Sequence, residues 1–78
     1  MIKVLFFGIL STKCKTKELE LDITSAATVK DLIAILKERF SDMPDGPFII
    51  AVNETQATLD TIINDNDEVA VMPPFSGG

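Results

Sequence analysis

The sequence predicts an α+β fold in which one helix lies across one face of a mixed β-sheet. Four short segments are strongly apolar or alternate between apolar and polar residues, and one further stretch has apolar residues at helical spacing. Their order is strand, strand, helix, strand, irregular segment, strand. The chain has 78 residues and is 46% hydrophobic, so we expect a single domain over 1–78 with one core.

Two strands are expected before the helix. The range 2–10 is a nearly continuous apolar run, typical of a central strand, and period two turns Ile2, Val4 and Phe6 toward the core. Lys3, Leu5 and Phe7 then face outward. The polar range 11–16 is expected to be a hairpin connection. The range 18–23 alternates strictly and predicts a half-buried strand, whose inward residues are Leu19, Leu21 and Ile23.

The helix is expected to begin after Thr28. The Thr28 side chain can cap the first turn, and Asp31 places a carboxylate where the helix dipole favours it. Apolar residues at helical spacing then form one stripe that covers the sheet. The stripe consists of Val29, Leu32, Ile33, Leu36 and Phe40.

The range 48–53 is apolar on both faces and predicts a strand in the interior of the sheet. The range 54–63 has no clean period, so we expect turn, irregular or short-strand structure anchored by Leu59, Ile62 and Ile63. A turn over 64–67 leads into a last strand over 68–72, with Val69 and Val71 inward and Ala70 and Met72 outward. This order of elements is the β-grasp, or ubiquitin-like, arrangement, in which the first and last strands are expected to pair centrally.

Composition excludes several functional classes. A net charge of −5 without a basic patch argues against a nucleic-acid partner. We expect no membrane span and no signal peptide, and therefore a cytoplasmic protein. The chain has no histidine, tryptophan or tyrosine, no phosphate-binding loop and no metal-ligand spacing, so we expect no bound cofactor or metal and no stand-alone enzyme. The single cysteine, Cys14, is expected to be a free thiol in a lysine-rich loop.

The end of the sequence carries the main functional signal. Pro73 and Pro74 favour an extended conformation, so the range 73–78 is expected to project from the domain as a tail. Gly77 and Gly78 have no Cβ, which allows them to enter a narrow tunnel and leaves the terminal carbonyl carbon unhindered. We therefore expect the Gly78 carboxylate to be the reacting group, with Gly77 giving access to it.

Three segments carry a family resemblance. The ranges 1–8, 51–53 and 65–78 resemble the MoaD/ThiS family of sulfur carriers, in particular the small subunit of molybdopterin synthase. The specific part is Pro-Pro-x-x-Gly-Gly after Asp-Glu-Val-Ala. Asn66 stands where the family usually has glycine, and Phe75 is bulkier than the small aliphatic residue common at its position.

The resemblance implies a sulfur-transfer role and two protein partners. An adenylating, MoeB-like activating enzyme would use ATP to activate the Gly78 carboxylate in trans, and sulfur would displace AMP to give a thiocarboxylate. The large, MoaE-like subunit of molybdopterin synthase would then use this sulfur to build the dithiolene of molybdopterin, within a hetero-oligomer.

Strand parity predicts where a partner binds. Phe7 and Met72 are expected on the open face of the sheet, and exposed apolar residues on a small acidic domain indicate a docking surface. The tail residues Pro73, Pro74, Phe75 and Ser76 would extend it. Alternatively, Phe7 and Met72 complete a satellite core beneath the range 54–63.

Three other functions fit the sequence. They are a thiamin-type sulfur carrier, a ubiquitin-like modifier joined to lysines, and a β-grasp interaction module whose tail has no chemistry.

Overall fold

The computed structural model describes residues 1–22 and 28–74. Within these ranges the elements are β1 (Ile2–Phe6), α1 (Ile9–Lys13), β2 (Glu18–Leu21), α2 (Val29–Arg39), β3 (Ile49–Val52), β4 (Thr55–Ala57) and β5 (Glu68–Met72). The strands form one mixed sheet in the order β2-β1-β5-β3-β4. The predicted α+β, β-grasp class is therefore confirmed.

Strand β5 lies at the centre of the sheet. It pairs with β1 in parallel and with β3 in antiparallel orientation, so the predicted pairing of the first and last strands and the interior position of β3 are confirmed. Strands β2 and β4 are the two edges. The last residue predicted for β2, Ile23, lies outside the described residues.

The hydrophobic core lies between the sheet and α2. The inward residues of the central strands are almost fully buried: Ile2, Val4, Phe6, Val69 and Val71. Three residues of the predicted stripe on α2 are buried as well, and the other two pack against them at the margin of the core. Burial of each large aliphatic side chain stabilises the fold by about 1.5–3 kcal/mol. The alternation of the strands and the stripe of the helix are thus both confirmed.

Helix α2 begins with the predicted cap. The Thr28 hydroxyl accepts a hydrogen bond from the Asp31 amide at 3.3 Å, and the Asp31 carboxylate accepts one from the Thr28 amide at 3.2 Å. This capping box satisfies amide groups that the helix itself leaves unpaired. In the described ranges no helix is long and apolar enough to cross a bilayer, since α2 has only 11 residues.

The connection between β1 and β2 differs from the predicted polar hairpin. Residues 9–13 form the short helix α1, in which Leu10 is buried, and β1 ends at Phe6 rather than at residue 10. Cys14 follows α1 and is only 4% exposed, so its predicted place in a solvated loop is wrong. A helix of five residues is too short to reveal a helical period in the sequence.

The segment before the last turn is held differently from the prediction. Ile63 is buried, as predicted, but Leu59 and Ile62 are 54% and 66% exposed and anchor nothing by burial. Instead, the carbonyls of Leu59 and Thr61 accept hydrogen bonds from the first-turn amides of α2, each at 3.0 Å. Backbone pairing with α2 therefore holds this segment, and β4 is the short strand within it.

The turn over 64–67 is present as predicted. Asn66 has a φ of 72°, a left-handed angle that asparagine tolerates, and the Asn64 amide donates to the Asp67 carboxylate at 2.8 Å. The Met1 amino group forms an ion pair with Asp65. This contact raises the pKa of the amino group and lowers that of the Asp65 carboxyl.

Candidate functional site

The candidate site lies where β1 and β5 end. Because these strands run parallel, their carboxyl ends meet at the same edge of the sheet. Phe6 is in register with Val71, and the amide of Phe7 donates a hydrogen bond to the Val71 carbonyl at 3.1 Å. Phe7 therefore lies beside Met72, directly before Pro73 and Pro74.

These residues form an apolar hollow of about 290 Å³, which we call the tail-root groove. It is lined by Phe7, Gly8, Ile49, Met72, Pro73 and Pro74. The Phe7 side chain is 46% exposed, and Ile49 is brought to the groove because it pairs with Met72 across β3 and β5. An exposed aromatic ring beside methionine and proline is typical of surfaces that bind a protein partner.

Gly8 allows the chain to leave the sheet close to this groove. Its φ of 58° and ψ of −137° lie in a region that glycine alone adopts readily. A Cβ on Gly8 would come within 3.2 Å of the Pro73 Cγ atom. Gly8 is thus required both by its backbone angles and by the close approach of the first proline of the tail.

A second apolar hollow, of about 130 Å³, shares the two prolines with the tail-root groove. We call it the α1 hollow. Its other lining residues are Ile9, Leu10, Pro44, Gly46, Pro47 and Phe48. The Ile9 side chain is 57% exposed at the start of α1. Pro73 and Pro74 therefore have apolar surface on both sides, and a partner can contact the start of the tail from either side.

Neither hollow carries acid–base chemistry, because none of their lining residues has an ionisable side chain. Within residues 1–22 and 28–74, no cluster of three histidine, cysteine or acidic side chains is placed to hold a metal ion. Burial raises the pKa of the Cys14 thiol. The reactive group expected from the sequence, the Gly78 carboxylate, lies outside the described residues.

The structure brings four of the predicted site residues together: Phe7, Met72, Pro73 and Pro74. No residue of the range 54–63 lines the groove, so the alternative of a satellite core beneath that segment finds no support in this arrangement. The remaining predicted residues, Phe75, Ser76, Gly77 and Gly78, lie outside the described residues.

Sequence reasoning missed two walls of the groove. Gly8 interrupts the apolar run 2–10 two residues after β1 ends, and a glycine at that position is an available signal for a backbone reversal. Ile49 carried no comparable signal, because its place depends on the register between β3 and β5.

A mixed five-stranded sheet crossed by one main helix, with an apolar groove where the last strand ends, defines a β-grasp protein of the ubiquitin-like class. The model of the ThiS family matches residues 4–78, and the chain belongs to this family. A curated relative, the molybdopterin synthase sulfur carrier subunit of Escherichia coli, is 35% identical over 81 residues that cover all of both chains. The recognised family resemblance is thereby confirmed.

Two solved structures extend the comparison. A chain in the protein–protein complex of subunits 1 and 2 of the molybdopterin-converting factor of Helicobacter pylori is similar in fold, with 30% identity and a TM-score of 0.70. The alignment covers 99% of this chain and 97% of the other. The small archaeal modifier protein 1 of Methanosarcina acetivorans has 26% identity and a TM-score of 0.81, with coverage of 99% and 95%.

Proposed function

We propose that this chain is the sulfur-carrier small subunit of a molybdopterin synthase and that Gly78 carries the sulfur as a thiocarboxylate. The observation that carries the proposal is the tail-root groove, which places an exposed apolar binding surface where the chain leaves the sheet toward Gly77 and Gly78. Membership in the ThiS family and the sulfur-carrier relative in Escherichia coli support it.

The proposed chemistry follows from the reactivity of a carboxylate. A terminal carboxyl group has a pKa of about 3.3–3.7, so at neutral pH it is an anion and a poor electrophile. Adenylation changes this: the carboxylate oxygen attacks the α-phosphorus of ATP and pyrophosphate leaves. Hydrosulfide (HS⁻) from the sulfur donor then attacks the acyl carbon, AMP leaves, and loss of the S–H proton gives a thiocarboxylate. The sequence has no nucleotide-binding loop, so the activating enzyme supplies the ATP site in trans.

The groove gives the protein its part in the reaction. A partner that packs against Phe7, Met72 and Pro73 fixes the direction in which the tail leaves the domain. Holding the tail in this way converts an encounter between two molecules into a reaction within one complex. The complex of subunits 1 and 2 from Helicobacter pylori supports a large synthase subunit as this partner. The cytoplasmic location stays a prediction.

A second candidate is a protein modifier, which the likeness to the archaeal modifier protein favours. A modifier and a sulfur carrier share the activated Gly78 carboxyl group and differ in the acceptor. A modifier forms an amide with a lysine, whereas a sulfur carrier gives up sulfur and regains its carboxylate. The bound partner therefore separates the two functions.

Reconstitution tests the proposal. We expect the full chain, after thiocarboxylation and together with the large subunit, to convert the cyclic phosphate precursor to molybdopterin. A chain that lacks Gly78, or that has one residue added after it, should fold normally but form no product. Product from either variant would remove the tail from the mechanism. Copurification of a thiazole synthase, or recovery of lysine conjugates, would instead assign the thiamin-type or modifier function.

A further inference from the structure

The carboxyl ends of α1 and α2 form a depression that the proposed function does not use. It has a volume of about 170 Å³ and lies away from the residues of the tail-root groove. Its lining comprises Lys13, Cys14, Lys15, Arg39, Phe40, Ser41 and Asp42. The apolar part of this wall is rigid, because Cys14 belongs to the core and the Phe40 ring packs edge-on against Phe6 at 5.6 Å.

The depression is electropositive on an acidic protein. Three of the seven cationic side chains, Lys13, Lys15 and Arg39, line it together with one carboxylate, Asp42, whereas the whole chain has a net charge of −5. None of the three cations forms an ion pair with a described residue. Of the other four lysines, Lys3 pairs with Glu18 and Lys37 with Asp45, and no ion pair within the described residues involves Lys17 or Lys30.

Helix dipoles account for only part of this arrangement. Lys13 and Arg39 lie in the last turns of α1 and α2, where a positive charge is favourable. Lys15 lies beyond the last turn of α1, and its φ of 59° is the left-handed conformation in which many helices end. Like charges that converge on one depression repel each other, and a bound anion relieves this repulsion.

We infer that this depression is a binding site for a phosphate group. Arg39 offers a planar fork of N–H donors that matches phosphate oxygens, the two lysines add point charges, and the Ser41 hydroxyl is a further donor. The volume is below the roughly 300–1,000 Å³ of pockets that enclose whole small molecules, so it fits the phosphate rather than the body of a larger ligand. The source is either free phosphate or a phosphate monoester on a larger molecule.

Nuclear magnetic resonance titration with inorganic phosphate tests this site. At pH 7.5 and constant ionic strength, adjusted with sodium chloride, phosphate should give saturable shifts of the backbone amides of residues 13–15 and 39–42. The double variant K15Q/R39Q should raise the half-saturating phosphate concentration about tenfold or more. The matched control K3Q/K37Q removes the same charge elsewhere and should change the half-saturating phosphate concentration by less than about twofold.

A second titration with O-phosphoserine distinguishes the sources. Tighter binding of the monoester than of the free ion would assign the site to a phosphorylated molecule, and equal or weaker binding would assign it to inorganic phosphate. Amide shifts that never saturate, or an equal loss of phosphate affinity in both double variants, would contradict the proposed site. Either result would show only general screening of charge. None of these outcomes depends on the chemistry of Gly78, so the test is independent of the proposed function.

Discussion

Gly8 shows how one residue connects the sheet to the start of the tail. Its backbone angles turn the chain away from β1, and the absence of a side chain lets Pro73 approach closely. Both features act on the same contact, because a Cβ would strain the backbone and also press on the ring of Pro73. The position of Pro73 is therefore sensitive to a single methyl group at residue 8.

The change Gly8→Ala is expected to lower the free energy of unfolding by about 1–3 kcal/mol, the cost of a non-glycine residue in this region of backbone angles. Binding of the large subunit should weaken as well, because Pro73 must shift. Urea unfolding and calorimetric titration measure the two effects. Glu38→Ala, on the exposed side of α2, serves as control and should change stability by less than about 0.5 kcal/mol. Equal behaviour of the two variants would contradict the role of Gly8.

Cys14 is expected to react slowly in the native protein. Burial raises its pKa, so at pH 8 the reactive thiolate is scarce, and only 4% of the residue is accessible to a reagent, although it lines the depression between α1 and α2. The rate of modification by an aromatic disulfide should be low in buffer and should rise to that of a free thiol in denaturant. Rapid modification of the native protein would place Cys14 in a solvated loop after all.

At the scale of elements, helix α2 has a fixed beginning and a fixed orientation on the sheet. Its capping box fixes the beginning, and three buried residues fix its orientation on the sheet. The segment that contains Leu59 and Thr61 depends on this beginning, because its carbonyls pair with amides of the first turn. The cap thus holds both the helix and the segment beside it.

Thr28→Ala is expected to lower the free energy of unfolding by about 1 kcal/mol, since it removes the hydroxyl that accepts a hydrogen bond from the Asp31 amide. Thr28→Ser keeps that hydroxyl and should retain most of the stability. Thr12→Ala, at an exposed position of α1, is a matched control with little expected effect. Chemical denaturation measures all three. If Thr12→Ala lowers the free energy of unfolding as much as Thr28→Ala does, the result would contradict a specific contribution of the cap.

The elements that sequence reasoning predicted well have long or regular patterns. The stripe of α2 and the bounds of β5 follow from residues that are close in sequence, and so does the outward position of Phe7 and Met72. Helix α1 escaped prediction because it is shorter than two turns. The prediction that Leu59 and Ile62 anchor the range 54–63 by burial is wrong, because backbone hydrogen bonds to α2 hold this range and such bonds leave no trace in the sequence. Ile49 lines the groove because the register between β3 and β5 pairs it with Met72, and this register could not be read from the sequence.

At the scale of the whole molecule, the fold separates the apolar surface beside Pro73 and Pro74 from the core. The core lies between α2 and the sheet, while the groove and the α1 hollow lie beside the prolines where the tail begins. A partner can therefore bind the domain without disturbing the core. Phe7 is the largest exposed side chain at this surface, so we expect it to contribute most to the complex.

Phe7→Asp should weaken binding of the large subunit by about 2 kcal/mol or more, roughly thirtyfold, because it puts a charge into the centre of an apolar interface. The melting temperature should change little, since the ring is already half exposed. Ile62→Asp places the same charge at another exposed apolar residue and should leave binding unchanged. If Phe7→Asp strongly lowers the melting temperature but the protein that remains folded binds the large subunit as tightly as before, the ring belongs to the core.

In the proposed function, Gly78 is an acyl group that another enzyme activates and loads with sulfur. The most direct measurement is fragmentation mass spectrometry of the C-terminal peptide after incubation with ATP, the activating enzyme and a sulfur donor. Fragmentation must locate the change, since oxidation of any of the three methionines adds nearly the same mass. We expect sulfur to replace one oxygen of Gly78 only when ATP is present. A C-terminal peptide that keeps both oxygens under these conditions would contradict the proposed function.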